Sequence, residues 1–391
     1  MNFMVFNKAA KDSVISAVLC GGSLDGVMSR IIEFAELRSV SKSILREYLV
    51  STLADDDNVL SQVLGKGGIV GNSLQKAAVT DLEKLISAAD AYSGFDYTPS
   101  GEYVHYSSSY TASVRAMCAA KSAQELFELL CTHYSTLGTG VFAKYNAFLQ
   151  ERDGISGIEN PDSTSFSKLV GLEHIKKTLI DNTETLLAGA RANNVLLFGD
   201  RGTGKSSCVK ALLNMFAPRG LRVIELPKYC IGMIPSLFKT LENKPQKFIL
   251  YLDDLSFEKH EPEYRSLKVA MEGQLGSMPQ NVLIYATSNR RHLIKENWKD
   301  REGGDVHVND NMQEMLSLSE RFGISLVFSA PNQREYLDIV AKLLADRGIE
   351  INDEIERQAI VWQMNYGGRT PRCAAQFAAA YKPLDNTEKQ Y

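Results

Sequence analysis

Hydrophobic and polar positions follow two different rhythms along the chain. Up to about residue 150 the rhythm is helical. Segment 24–38 (LDGVMSRIIEFAELR) follows Ser23, a possible cap, and sets Val27, Ile31, Ile32 and Phe34 or Ala35 at helix spacing. Segments 78–92 (AVTDLEKLISAADAY) and 122–150 (SAQELFELL to NAFLQ) behave similarly, and helix packing explains all three apolar stripes. Between them, 93–113 is rich in Tyr and Ser with Gly and Pro punctuation and is predicted to be a loop. Its four tyrosines are read as amphipathic rings pinning a polar loop.

At 151–166 (ERDGISGIENPDSTSF) the apolar periodicity gives way to Gly, Asn-Pro, Asp and Ser, which predicts a linker. Beyond it, β-branched apolar runs at 194–198, 221–226, 247–252, 281–286 and 324–328 alternate with amphipathic helical stretches. Continuous apolar strands separated by helices predict an α/β fold with a parallel sheet covered on both faces. From Pro331 onward the strand pattern stops and three helical stretches follow. The expected domains are a mostly helical 1–150, a linker at 151–166, an α/β domain at 167–330 and a small helical domain at 331–391.

Composition narrows the class without naming a function. With 391 residues, 44% hydrophobic, 23% charged and a formal net charge of −4, the chain reads as an ordinary multidomain globular protein. Residues 1–150 carry 12 basic against 15 acidic side chains. Neither half therefore has the basic surplus of a nucleic-acid binder, and such a partner is not expected. The six cysteines are scattered, with no C-x-x-C pair and no zinc spacing, so reduced thiols and a cytoplasmic location are expected. Lys8, Lys11 and Asp12 interrupt the first apolar run, and no later run approaches the roughly 18 apolar residues of a membrane span.

The strongest chemical signal is NVLLFGDRGTGKSS, in which Gly199, Gly204, Lys205 and Ser206 satisfy G-x-x-x-x-G-K-[ST] between a strand and a helix. The glycines let successive backbone N–H groups face phosphate oxygens, and the helix N-terminus adds its positive dipole. Gly199, Asp200, Arg201, Gly202, Thr203, Gly204, Lys205, Ser206 and Ser207 form the expected binding set for ATP. Lys205 would meet the β/γ-phosphates, and Ser206 would ligate Mg²⁺. A second signal is FILYLDDLSF, a strand ending in Asp253 and Asp254. A charge at the end of a buried strand needs a cation or hydrogen bonds, so Asp253 is the metal-side carboxylate and Asp254 the group that orients or deprotonates water. The competing explanation is that the pair caps the following segment. A third strand, NVLIYATSN, ends in Asn289, placed to reach the γ-phosphate or its water, with Arg290 and Arg291 next. In LSLSERFG, Arg321 precedes the last strand, where it either projects into a neighbouring subunit's site or lies solvated on the surface.

In this order the signals resemble an AAA+ ATPase over roughly residues 166–381. More narrowly, 192–214, 248–257, 281–293 and 318–323 look like the bacterial ATP-binding family catalogued as domain of unknown function 815. The resemblance implies a five-stranded parallel sheet ordered 5-1-4-3-2, a C-terminal α-helical lid and ring- or chain-like homo-oligomers. It also implies that Val170 and Gly171 lie beside the adenine, that Arg321 is an arginine finger, and that the sensor 2 arginine lies in G-R-T-P-R, as Arg372 or Arg369. One departure stands out. Many AAA+ ATPases carry Asp-Glu where this chain has Asp253-Asp254, and the shorter side chain sits about one C–C bond farther from the water.

Three functions follow. The first is an oligomeric ATPase that moves or remodels a macromolecular partner, and the second a slow nucleotide-gated module that recruits a protein through residues 1–150. The third, a helicase loader on DNA, requires a basic face that the charge balance does not supply. The segment KYCIG at 228–232 has the aromatic and glycine of a pore loop, but packing of Tyr229 at the start of the next helix explains the same residues and is the reading preferred.

Overall fold

The computed structural model describes residues 3–382 except 91, 93–96, 102, 258–260, 273–277, 290–317 and 319. The expectations for Arg290, Arg291 and Ser319 lie outside the described residues. Two compact units emerge, the first made of Met1–Pro161, Phe216–Glu225 and Pro235–Ile249 and the second of the remainder.

The first unit is dominated by helices α1 (Ser13–Leu19), α2 (Met28–Leu37), α3 (Ile44–Ala54), α4 (Val59–Gly65), α5 (Asn72–Ala89), α6 (Ser108–Cys118), α7 (Ala123–Thr136) and α8 (Val141–Lys144). Side chains that cannot compete with helix from inside it start it from outside. Asp12 accepts from the N–H groups of Val14 and Ile15, and Ser122 from that of Glu125. Their inner faces share a core in which Phe6, Leu53, Leu60, Leu82, Leu130 and Tyr134 are wholly buried.

Three local expectations are corrected here. Residues 108–113, read as loop, begin α6, and Tyr110 is wholly buried in the core. The helix expected over 122–150 stops at Thr136, and Ala147–Glu151 is strand β1. Residues 154–158, read as linker, are strand β2 (Gly154–Ile158), antiparallel to β1. Both strands are five residues long, too short for periodicity to separate strand from helix end.

The second unit holds α9 (Glu173–Leu187), β3 (Val195–Gly199), α10 (Lys205–Phe216), α12 (Pro262–Glu272), β6 (Val282–Ser288) and β7 (Ile324–Phe328). After β7 come α13 (Gln333–Ala345), α14 (Asp353–Tyr366) and α15 (Pro371–Ala380), which pack on one another around Tyr336, Val340, Leu344 and Ala374. Strand β4 (Leu221–Glu225) and helix α11 (Ile234–Leu241) belong to or border the first unit, and β5 (Lys247–Leu252) runs through both.

The sheet corrects the expectation of five parallel strands. Among the described residues it has seven, in the order β2-β1-β4-β5-β6-β3-β7, and it is mixed because β1 and β2 are antiparallel. Strand β3 pairs in parallel with β6 on one side and β7 on the other, so the turn after β3 emerges between two neighbours. That is the crevice position in which α/β sheets bind ligands. In the KYCIG segment Tyr229 is 58% exposed, while Cys230 and Ile231 are buried.

Candidate functional site

The residues following β3 form a loop that only glycine can build. Gly199, Gly202 and Gly204 all have positive φ (134°, 75° and 101°). A Cβ on Gly199 would lie 2.0 Å from the carbonyl oxygen of Phe328, so β7 allows no side chain there. The loop then runs into α10, whose first residue is Lys205. Lys205 is buried, and its Nζ donates to the carbonyls of Gly199 (2.9 Å) and Asp200 (2.6 Å) and to Asn289 Oδ1 (3.2 Å). Burial lowers the Lys205 pKa, and the carboxylates of Asp200, Asp254 and Asp253 oppose that shift.

Asp200 works mainly as a fastener. Its N–H donates to Phe328 O at 2.9 Å, and its Oδ2 accepts from the N–H of Ala330 at 3.0 Å, tying the loop to the end of β7. Thr203 is buried and donates back to Asp200 O at 2.7 Å. Arg201 is exposed, while Ser206 and Ser207 are half-buried at the start of α10. The loop is thus preorganised by its own bonds, with its helix N-terminus left to an anion.

The acids at the end of β5 meet this loop. Ser206 Oγ donates to Asp253 Oδ1 at 2.9 Å. The same oxygen accepts from the hydroxyls of Tyr251 and Thr287, each at 2.6 Å, and from the N–H of Asp254 at 3.1 Å. Burial pushes the Asp253 pKa up, but these bonds outweigh it and hold the carboxyl below its ordinary value. Asp254 adopts a left-handed backbone (φ 48°), a conformation costing a non-glycine residue about 1–2 kcal/mol. Thr287 holds it there by accepting the Asp254 N–H at 2.8 Å. Asn289 Nδ2 donates to Asp254 Oδ1, so Lys205, Asn289 and Asp254 form one chain of contacts.

Val170 and Gly171 lie near the loop in space, since their neighbours Leu169 and Leu172 come within 3.9 and 3.6 Å of a Cβ placed on Gly204. Val170 also packs against the core of the C-terminal helices. That helical region touches the loop through α15. Thr370 caps α15 by accepting the N–H of Cys373 and Pro371 fills its first turn, which puts the N–H of Arg372 3.3 Å from Gly202 O. Arg372 and Arg369 are both exposed, and the Arg372 N–H reaches the loop.

Arg321 is not brought to this site. It precedes β7, whose opposite end meets the loop, and five strand residues separate the two by about 16 Å. Its Nη2 instead pairs with Glu272 Oε1 at 2.5 Å, at the end of α12.

Two contributors went unassigned at the sequence level. Tyr251 shares a strand face with Asp253, two residues on, and Thr287 lies on the neighbouring strand. Strand alternation could have flagged Tyr251, whereas Thr287 depends on how two distant segments pair.

No group of three or more His, Cys, Asp or Glu that could hold a metal occurs among the described residues. The Ser206 hydroxyl beside an ionised Asp253 is nevertheless the donor set that suits Mg²⁺, which takes one or two protein ligands and completes its shell with phosphate and water.

A glycine-built loop between β3 and α10, met by the acids at the end of β5, has the form of the phosphate-binding loops of α/β proteins. The family described as protein of unknown function (DUF815) matches residues 141–383, more than half of the chain, and the chain belongs to that family. Solved structures similar in fold include RuvB of Thermotoga maritima, a Holliday junction branch migration motor, at 17% identity and a TM-score of 0.39 over 55% of this chain and 63% of that one. A lysine-to-arginine variant of the same protein matches at 19% identity with a TM-score of 0.39 and the same coverage. The chain thus spans less than two thirds of the length of these solved structures. No curated protein matches it.

Proposed function

We propose that this chain is an oligomeric, Mg²⁺-dependent ATPase that uses turnover to move or remodel a macromolecular partner. The observation that carries the reading is the convergence of two networks on one loop, Ser206 with Asp253 and Lys205 with Asn289 and Asp254. Lys205 binds the β/γ-phosphates, exchanging its carbonyl partners for phosphate oxygens. Ser206 and Asp253 would hold Mg²⁺, which would supply positive charge against the phosphates. Asp254 orients water or takes its proton, and Asn289 fixes the Asp254 carboxylate and reaches the γ-phosphate. Val170 and Gly171 flank the adenine, and Arg372 senses nucleotide from the helical lid.

Arg321 completes a neighbouring subunit's site. Its distance from its own loop supports that assignment, as does its position before β7. In this reading residues 167–330 are the nucleotide-binding domain, 331–391 the lid, 151–166 the connecting segment and 1–150 the partner-binding region. The charge balance favours a protein partner over nucleic acid.

A second reading, a nucleotide-gated switch with slow turnover, is favoured by one observation. The short Asp254 side chain is already engaged by Asn289, which has to release it before it can act on water. Steady-state ATP turnover measured against protein concentration, with assembly state followed by light scattering, tests both readings. The motor reading expects specific activity to rise with assembly, whereas turnover from a monomer at constant specific activity contradicts it.

A further inference from the structure

The second unit buries two strand tyrosines, and their hydroxyls serve different ends. Tyr285, on β6, is wholly buried, and its hydroxyl meets Asn182 at 3.0 Å and Thr183 at 3.4 Å. Those partners are neutral and lie on α9, so this phenol ties α9 to the sheet. Tyr251, on β5, is also buried, but its hydroxyl donates at 2.6 Å to Asp253 Oδ1.

Four donors meet at that single oxygen: Ser206, Tyr251, Thr287 and the Asp254 N–H. Among the described residues no hydrogen bond or ion pair reaches the other oxygen, Oδ2. A carboxylate clamped by one oxygen is fixed in rotation, with its second oxygen left for a further ligand. Ordinary packing of a buried tyrosine needs only some acceptor, as Tyr285 illustrates. It does not require the acceptor to be the oxygen that also binds the phosphate-loop serine.

We propose that Tyr251 is a positioning residue for the divalent cation, its hydroxyl together with that of Thr287 orienting Asp253 so that Oδ2 is presented to the metal. The proposal rests on the Mg²⁺-dependent nucleotide binding argued above. It assigns to a strand tyrosine the outer-sphere role by which hydrogen bonds hold a ligating carboxylate in place. Removing such a partner typically costs 10- to 100-fold in metal affinity.

The test uses the full chain and a non-hydrolysable ATP analogue, titrated in EDTA and then across a series of Mg²⁺ concentrations. Tyr251→Phe should bind the analogue in EDTA as the wild type does, while its half-saturating Mg²⁺ concentration rises about 10-fold or more. Thr287→Val, which strips a hydroxyl from the same oxygen without altering the phenol, should shift it in the same direction. Tyr285→Phe is the control for a structural phenol, and it should lower the melting temperature and leave the Mg²⁺ requirement unchanged. An unchanged Mg²⁺ requirement in folded Tyr251→Phe and Thr287→Val overturns the inference alone. A wild type whose analogue binding ignores Mg²⁺ overturns the underlying functional reading instead.

Discussion

The helical first unit and the strand ends of the second both bury polar side chains, but they close them in opposite ways. Asp81, wholly buried in α5, accepts at Oδ2 from the N–H groups of Met4 and Val5 at 2.7 and 2.8 Å, stapling the N-terminal segment to the bundle. Asn58 likewise caps α4 while donating to Asp56, and Tyr134 donates to the carbonyl of Leu53. These bonds end within the bundle, and the Asp81 Oδ1 that takes no hydrogen bond faces the Lys84 ammonium of its own helix at 3.7 Å. At the phosphate loop the donors crowd onto one oxygen of Asp253 and leave the other open, and Lys205 rests on carbonyls that a stronger acceptor can replace. Polar groups satisfied by one another hold a fold together, whereas groups held in place with capacity to spare are set up to bind.

The largest effect that would break this contrast concerns Arg321. An arginine finger contributes about 10³–10⁵ in rate in other phosphate-loop enzymes, so Arg321→Ala should nearly abolish turnover, far beyond the loss of an exposed ion pair. Mixing Lys205→Ala subunits, which keep Arg321, with Arg321→Ala subunits, which keep the loop, should restore part of the activity. Mixtures that co-assemble and stay inactive would return Arg321 to a surface role with Glu272.

The next effect separates two adjacent acids. Asp254→Asn should lower turnover while leaving ATP affinity within a few fold, because the residue acts on water. Asp253→Asn should weaken Mg²⁺-dependent binding as well. Identical behaviour of the two variants would remove the division of roles.

The smallest effect belongs to the bundle. His133 is buried against Ser113, and burial lowers its pKa to about 4. Its folded pKa lies below the unfolded value near 6.5, so the unfolded chain gains protons first as pH falls. Stability should therefore decline below about pH 6.5, by about 2 kcal/mol at pH 5, and the loss should level off near pH 4. Denaturant melts of wild type and His133→Gln between pH 7 and 5 check this. A wild-type slope no steeper than the variant's would contradict it.

Legibility in the sequence followed the range of the interactions. The phosphate loop, the strands that frame it and the C-terminal helices are specified locally, by Gly199, Gly202 and Gly204 and by caps such as Asn332 with Glu335 and Thr370 with Pro371. The hairpin of β1 and β2 was missed because its logic is long-range. Gln150 is buried in a strand, and Gly157 is needed because a Cβ there would lie 2.0 Å from the Tyr145 ring. The same holds for Thr287, whose hydroxyl matters only once β5 and β6 stand side by side.

The central claim is that the loop after β3 binds ATP through Lys205. Calorimetric titration of Mg²⁺-ATP into wild type and Lys205→Ala tests it most directly. Saturable binding by wild type that is mostly lost in the variant is the predicted result, since Lys205 is the buried cation seated among the loop's own carbonyls. Equal affinity of the two proteins would contradict it.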